Sequence, residues 1–308
     1  MTSLSDFLLT QAMRHFSAAD WSAASVQALP IESGVSGVKV RRYELTHPDG
    51  PCARVVVKPC GLKERLTLAR LDGGEGVPGA YVPDLHSDEE ADVVMEDAGE
   101  TLLGWTLADR EAAARALSAV HAHFMGRRAE LAWLPDLDAA YLEGFIVERC
   151  WRGTWQRARG NPDFVREFGG WISVVEASVQ TLAADLLAFV AQTDVQTLAH
   201  TDVYYGHIFR QGERAVVIDW GQARYAPLFL DIGDTFDTAE GAQVYRTALA
   251  ARGVRLSDSV FETGHRLARR FAGVRYVWWW LESWQRDPQD WNREGLERML
   301  GMAAGQPG

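Results

Sequence analysis

The sequence predicts an α+β chain of two lobes, a small β-rich N-terminal lobe over residues 1–97 and a larger helical lobe over residues 98–308. Its length of 308 residues suits about two domains of roughly 150 residues each. Runs rich in β-branched residues crowd the first third. From Leu107 onward apolar residues recur at helical spacing, broken by one short β-rich interruption.

Taken in order, Leu4 to Leu29 alternates apolar and polar residues as a helix would and stops near Pro30. Val38 to Leu45 and Ala53 to Val57 read as strands joined through THPDG, where Asp49-Gly50 signals a turn. A helix is expected at Leu62 to Leu71. Two short strands follow a Gly-rich DGGEG, near Tyr81 to Leu85 and Asp92 to Glu96. The second lobe reads as helices over 109–125, 136–148, 171–191, 239–251, 259–284 and 288–303. A second hairpin interrupts them, Ile208 to Arg210 and Ala215 to Ile218, with Gln211-Gly212 between.

Composition narrows the function classes. A hydrophobic fraction of 47% and a charged fraction of 24% exclude global disorder. The formal net charge of -11 argues against a nucleic-acid partner, whose phosphates demand a basic face. Cys52, Cys60 and Cys150 are too scattered for a disulfide framework or a zinc site. The N-terminus shows no basic segment followed by an apolar core, and no apolar run is read as a membrane span. A cytoplasmic protein without membrane partners is the expectation. Of 12 tryptophans, three stand in a row, Trp278 to Trp280, and read first as core residues.

The most informative stretch is HTDVYYGHIFRQGERAVVIDWGQA, His200 to Ala223. It sets Asp202 in a loop before a hairpin and Asp219 at the hairpin's far end, an arrangement that should bring the two carboxylates together. Paired in this way they suit metal-assisted phosphoryl transfer, one carboxylate orienting or deprotonating a hydroxyl while the other holds a metal. Either Asp alone would more simply be a turn residue.

This stretch resembles the HxDxxxxN catalytic loop and metal-binding Asp of aminoglycoside phosphotransferases and related small-molecule kinases. The resemblance implies a protein-kinase-like fold with a nucleotide site between its lobes. By it, Asp202 is the catalytic base, Asp219 the metal ligand, and His200 a structural residue of the loop. APLFLDIGD resembles the family's Pro followed by a buried, structural Asp that opens a helix, here Asp231. ARALSAVHAHF resembles a family helix and supplies Leu117 and His121.

Further N-terminal, Lys58 ends ARVVVK where the family places a phosphate-binding lysine, and Glu64 opens the next helix as its ion-pair partner. SGVSG would form a phosphate-covering loop through Ser33, Gly34, Ser36 and Gly37. In VVMEDAGETL, backbone groups around Glu96 and Ala98 would meet the adenine. Where the family has Asn, five residues after Asp202, this chain has His207, a nitrogen donor that suits Mg²⁺ less well than Mn²⁺.

The expectation is a phosphotransferase using ATP or GTP and Mg²⁺, with Mn²⁺ an alternative, on a hydroxyl of a small molecule, an aminoglycoside or other antibiotic among the candidates. Glu143, Glu148, Asp163 and Glu167 could attract an amino sugar or simply be solvated. A protein kinase fits less well, because only eleven residues separate Asp219 from Asp231. The rival reading is a pseudo-kinase that binds nucleotide and regulates a partner.

Overall fold

In the computed structural model, residues 4–30, 39–101 and 105–306 are described. They divide into two compact units: Met1–Val120 with Tyr205–Ala223, and His121–Tyr204 with Arg224–Gly308. The sequence reading drew its boundary at residue 97. The fold instead groups the start of a long helix and the 208–217 hairpin with the N-terminal sheet.

The first unit is built on a five-stranded antiparallel sheet, β1 (Ser25–Leu29), β2 (Arg41–Thr46), β3 (Cys52–Cys60), β4 (Ala80–Tyr81) and β5 (Ala91–Glu96), in the order β1-β2-β3-β5-β4. The β2–β3 hairpin turns at Gly50, whose φ of 101° is costly for any side chain. One face buries Leu45, Val55, Val57 and Val94 under Leu9, Ala12 and Met13 of α1 (Leu4–Phe16), with Trp21 closing the cluster. Each fully buried aliphatic side chain contributes roughly 1.5–3 kcal/mol.

The expected helix from Leu4 to Leu29 ends early, at Phe16. The Asp20 carboxylate accepts from the Ser22 N–H, a local turn that competes with helix. The chain then re-enters as β1, an exposed edge strand paired with β2. β3 likewise continues past Lys58 to Cys60. α2 (Leu62–Leu71) follows it, and β6 (Glu100–Thr101), β8 (Ile208–Gln211) and β9 (Arg214–Val217) form a second small sheet. α3 (Leu107–Phe124) opens with a reciprocal cap. The Thr106 N–H donates to Asp109 Oδ2 at 3.0 Å and the Asp109 N–H to Thr106 Oγ1 at 3.3 Å.

The second unit is helical. It contains α4 (Gly153–Arg159), α5 (Pro162–Phe168), α6 (Ile172–Gln192), α7 (Ala239–Ala251), α8 (Asp258–Arg286) and α9 (Asp290–Ala303), with a two-stranded sheet of β7 (Gln196–Ala199) and β10 (Arg224–Pro227). The helix expected over 136–148 is instead a π-helix, Ala140–Arg152. Ser257, Thr238 and Asn161 cap α8, α7 and α5 through their side-chain oxygens. Glycine lets α8 and α9 meet closely, since a Cβ on Gly273 would lie 2.3 Å from the Ala303 nitrogen. Trp280 is buried against Trp279 and Trp291, a core role for that part of the tryptophan run.

One span departs from expectation. Pro162–Gln192 is, by length and composition, apolar enough to cross a membrane. Within the fold, α6 buries Val175, Val179, Leu182, Leu186 and Phe189, and its Asp185 pairs with Arg270 at 2.7 Å. Those contacts pack one face of α6 into the helical unit.

Candidate active site

In the first unit, the sheet and α2 place Lys58 between two carboxylates. Its Nζ donates to Glu64 Oε1 at 2.7 Å and to Asp219 Oδ1 at 2.6 Å. Burial alone would pull this ammonium down; Glu64 and Asp219 outweigh it and hold Lys58 above the usual lysine range. Glu64 is nearly buried while the Asp219 side chain is 41% exposed, so the accessible end of the trio is Asp219.

Asp219 follows β9 with φ 66° and ψ 54°, a left-handed conformation that Asp tolerates better than most residues. Its Oδ2 lies 3.5 Å from His207 Nε2. A Cβ on Gly221 would sit 3.3 Å from Glu64 Oε2, so the small residue keeps room beside the trio.

In the second unit, β7 leads into the loop that carries His200, Thr201 and Asp202. Asp231 organises this loop from below. Its Oδ2 accepts from the His200 N–H at 2.7 Å and its Oδ1 from the Thr201 N–H at 2.6 Å. Thr201 has φ 61°, a true outlier for a β-branched residue, and these bonds hold it there. His121 Nε2 lies 2.9 Å from Asp231 Oδ2 and its Nδ1 2.7 Å from the Tyr245 hydroxyl, so the ring hydrogen-bonds on both sides. All of this network is buried. The Asp202 N–H donates to His200 Nδ1 at 3.2 Å, so His200 shapes the loop.

Asp202 itself meets α8. Arg275 Nη2 lies 2.9 Å and Nε 3.2 Å from Asp202 Oδ1, and the Tyr276 hydroxyl donates to the same oxygen at 2.8 Å. Arg275 Nη1 also donates to the Tyr141 hydroxyl at 2.9 Å. Burial would lower Arg275, but Tyr276, Tyr141 and Asp202 together keep its guanidinium charged. Burial first, and then Asp202, raise the Tyr276 phenol well above its ordinary value, so it stays a hydrogen-bond donor.

The residues named from sequence therefore fall into two groups. Lys58, Glu64, Asp219 and His207 come together in the first unit. Asp202, His200, His121 and Asp231 belong to the second, and Asp231 ends a short 3₁₀ turn, Leu228–Asp231, rather than opening a helix. Glu96 ends β5, where its N–H and its carboxylate both bond Gly79 (3.0 Å each), and Ala98 is buried just beyond. Ser33, Gly34, Ser36 and Gly37 lie outside the described residues.

Arg275 and Tyr276 went unnamed in the sequence, because an Arg-Tyr pair inside a 29-residue helix carries no local signal. Only tertiary packing reveals them.

A loop braced by a buried Asp–His pair, and a Lys–Glu–Asp trio, are each suited to phosphoryl transfer. The match to the phosphotransferase enzyme family (APH) over residues 40–271 goes further: the chain belongs to that family and is a small-molecule kinase acting on hydroxyl groups. No curated protein matches the sequence.

Solved structures share the fold at low identity. Choline kinase from Cryptosporidium parvum aligns with TM-score 0.59 and 12% identity over 99% of this chain and 95% of that one. An aminoglycoside phosphotransferase from Alicyclobacillus acidocaldarius aligns with TM-score 0.57 and 16% identity over 91% and 88%. The GDP and kanamycin complex of APH(2")-IIia aligns with TM-score 0.54 and 18% identity over 91% and 93%.

Proposed function

We propose that this chain moves the γ-phosphoryl group of ATP or GTP to a hydroxyl of a small molecule in the cytoplasm. The observation that carries the reading is Lys58 held between Glu64 and Asp219 at 2.7 and 2.6 Å. A lysine so fixed presents one positive charge at a set place, as phosphate positioning requires.

In the transfer, a bond forms between the acceptor oxygen and the γ-phosphorus. The bond from that phosphorus to its bridging oxygen breaks, and the bridging oxygen leaves with the electron pair on the nucleoside diphosphate. The hydroxyl proton passes to Asp202 and then to solvent. Lys58 offsets charge on the phosphates.

Asp219 and His207 would hold Mg²⁺ or Mn²⁺ through a carboxylate and a neutral imidazole. Among the described residues no cluster of three or more His, Cys, Asp or Glu forms a cage. That fits an ion carried mainly by phosphates and one or two protein groups. Such an ion supplies charge neutralisation when bound.

The alternative, a nucleotide binder without transfer, has one observation in its favour: the Arg275 ion pair competes for the carboxylate that must accept the proton. Two variants separate the readings. Asp219→Ala is expected to abolish metal-dependent binding of a nonhydrolysable nucleotide in calorimetry. Asp202→Ala is expected to keep that binding and lose turnover of a panel of aminoglycosides, macrolides, choline and sugars. Full turnover in Asp202→Ala overturns the assignment of the base.

A further inference from the structure

We propose that the acceptor is a hydroxyl compound bearing an anionic group, a carboxylate or a phosphate, and not a polycationic amino sugar; this rests on Asp202 marking the acceptor site. The observation is a reversal of sign. The chain carries a formal net charge of -11, yet the side chains gathered around Asp202 are cationic and aromatic.

Tyr141 and Phe145 project from the π-helix and stack with ring centroids 5.5 Å apart and planes 10° from parallel. Three guanidinium groups border this stack. Arg224 lies 3.6 Å from the Tyr141 centroid, Arg149 lies 5.4 Å from that of Phe145, and Arg275 lies 5.5 Å from the same Phe145 ring while bonding Tyr141 and Asp202.

Among the described residues only Arg275 of the three is ion-paired to a carboxylate. Arg275 spends its charge on Asp202. Arg224 gives one nitrogen to the Asp136 carbonyl at 3.1 Å, and its Nε is buried without a hydrogen-bond partner. Among the described residues neither Arg224 nor Arg149 is ion-paired to a carboxylate. The acid nearest in chemistry, Asp138, is exposed and its Oδ1 accepts from the Tyr141 N–H at 2.7 Å.

Half-buried Arg224 has only the exposed Asp138 as an attracting carboxylate, and burial outweighs it and pulls the guanidinium below its usual range. An arriving anion would offset that cost, and the planar fork matches carboxylate and phosphate oxygens. An ammonium there would meet like charge. Three of the four acidic side chains that might have drawn an amino sugar are engaged elsewhere. Glu148 pairs with Arg152 at 2.5 Å, Asp163 with Arg166 at 2.7 Å and Glu167 with Arg293 at 2.7 Å, while Glu143 is exposed.

The test uses the full chain and four acceptors that share one ring and differ in charge: glucose, glucosamine, glucuronate and glucose 6-phosphate, with kanamycin as a fifth. Calorimetry in saturating nucleoside diphosphate reads binding, and diphosphate release from ATP and GTP reads turnover. Glucuronate or glucose 6-phosphate is expected to bind at least about tenfold more tightly than glucose and glucosamine, and the better of the two identifies the anion.

Arg149→Gln, at an exposed position that does not threaten folding, and Arg224→Gln are each expected to reduce that preference about tenfold. Arg149→Glu should shift it toward glucosamine. Anion binding that both arginine variants weaken supports the proposal even where none of these five compounds turns over, since the transferase reading is tested separately by Asp202→Ala. Turnover of kanamycin or glucosamine ahead of both anionic sugars overturns the proposal and leaves the transferase reading intact. Absence of anion binding, or anion binding indifferent to both arginines, also overturns it.

Discussion

Lys58 is a residue whose replacement has two separable effects. It loses the positive charge proposed to sit on the phosphates, and it strands Glu64, whose side chain is 10% exposed, without its ion-pair partner. Lys58→Ala is therefore expected to lower kcat/KM by about one to three orders of magnitude. It should also destabilise the fold, by about 3 kcal/mol for an uncompensated buried carboxylate. Steady-state rates and urea titration read the two losses apart, and Lys58→Ala with unchanged kcat/KM would remove the lysine from the mechanism. His207 raises a question of metal preference. Its Nε2 lies 3.5 Å from Asp219 Oδ2, so wild type is expected to turn over faster with Mn²⁺ than with Mg²⁺. His207→Asn should bring Mg²⁺ level or ahead in the same rate assay; an unchanged metal ratio would show that His207 is not a ligand.

Among the elements, α3 shows how a helix start can be tied to a distant strand. Asp109 completes the cap with Thr106 and also accepts from Arg210 on β8. Asp109→Ala removes the cap and leaves Arg210 without that carboxylate, so a loss of about 1–3 kcal/mol is expected in urea denaturation. A loss below a few tenths would mean the cap is solvent-satisfied. How far elements were legible follows from where their signals lie. The β2–β3 hairpin and α2, α3, α6, α7, α8 and α9 announce themselves through Asp49-Gly50 and apolar spacing, which are local. β1 did not, because SVQAL is an exposed edge strand whose identity comes from pairing with β2. β7 and β10 are four residues each, too short to show a period. Asp202 and Asp219 stood out from their places at the two ends of a hairpin, and His121 and Asp231 only through the family resemblance. Arg275, Tyr276 and Arg224 were not legible, since what makes them matter is the ring or carboxylate they meet.

At the scale of the whole molecule, the chain passes between its two units at residues 120, 204 and 223, so the first unit is discontinuous. A fragment ending at Val120 lacks β8 and β9, and it lacks the Asp219 that pairs with Lys58. Such a fragment is expected to show no cooperative transition in thermal circular dichroism. A chain joining residues 1–120 to 205–223 through a flexible linker should regain one. Cooperative melting of the shorter fragment would show that the five-stranded sheet and α1 suffice alone.

The π-helix Ala140–Arg152 has a consequence for how this family member could diversify. Such a helix closes each backbone hydrogen bond one residue further along than an α-helix, so a residue lost from it resets the register of every bond that spans the loss. Gly144 stands where a Cβ would meet nothing within 4 Å, so no neighbour packs against that position. Deletion would turn everything beyond it by roughly 100° about the helix axis, the step per residue of a 3.6-residue turn. Phe145 would leave its stack on Tyr141 together with the Arg149 that borders it, and different side chains would take over that wall. One lost codon would thus exchange the whole lining at once, a larger step than any single point substitution.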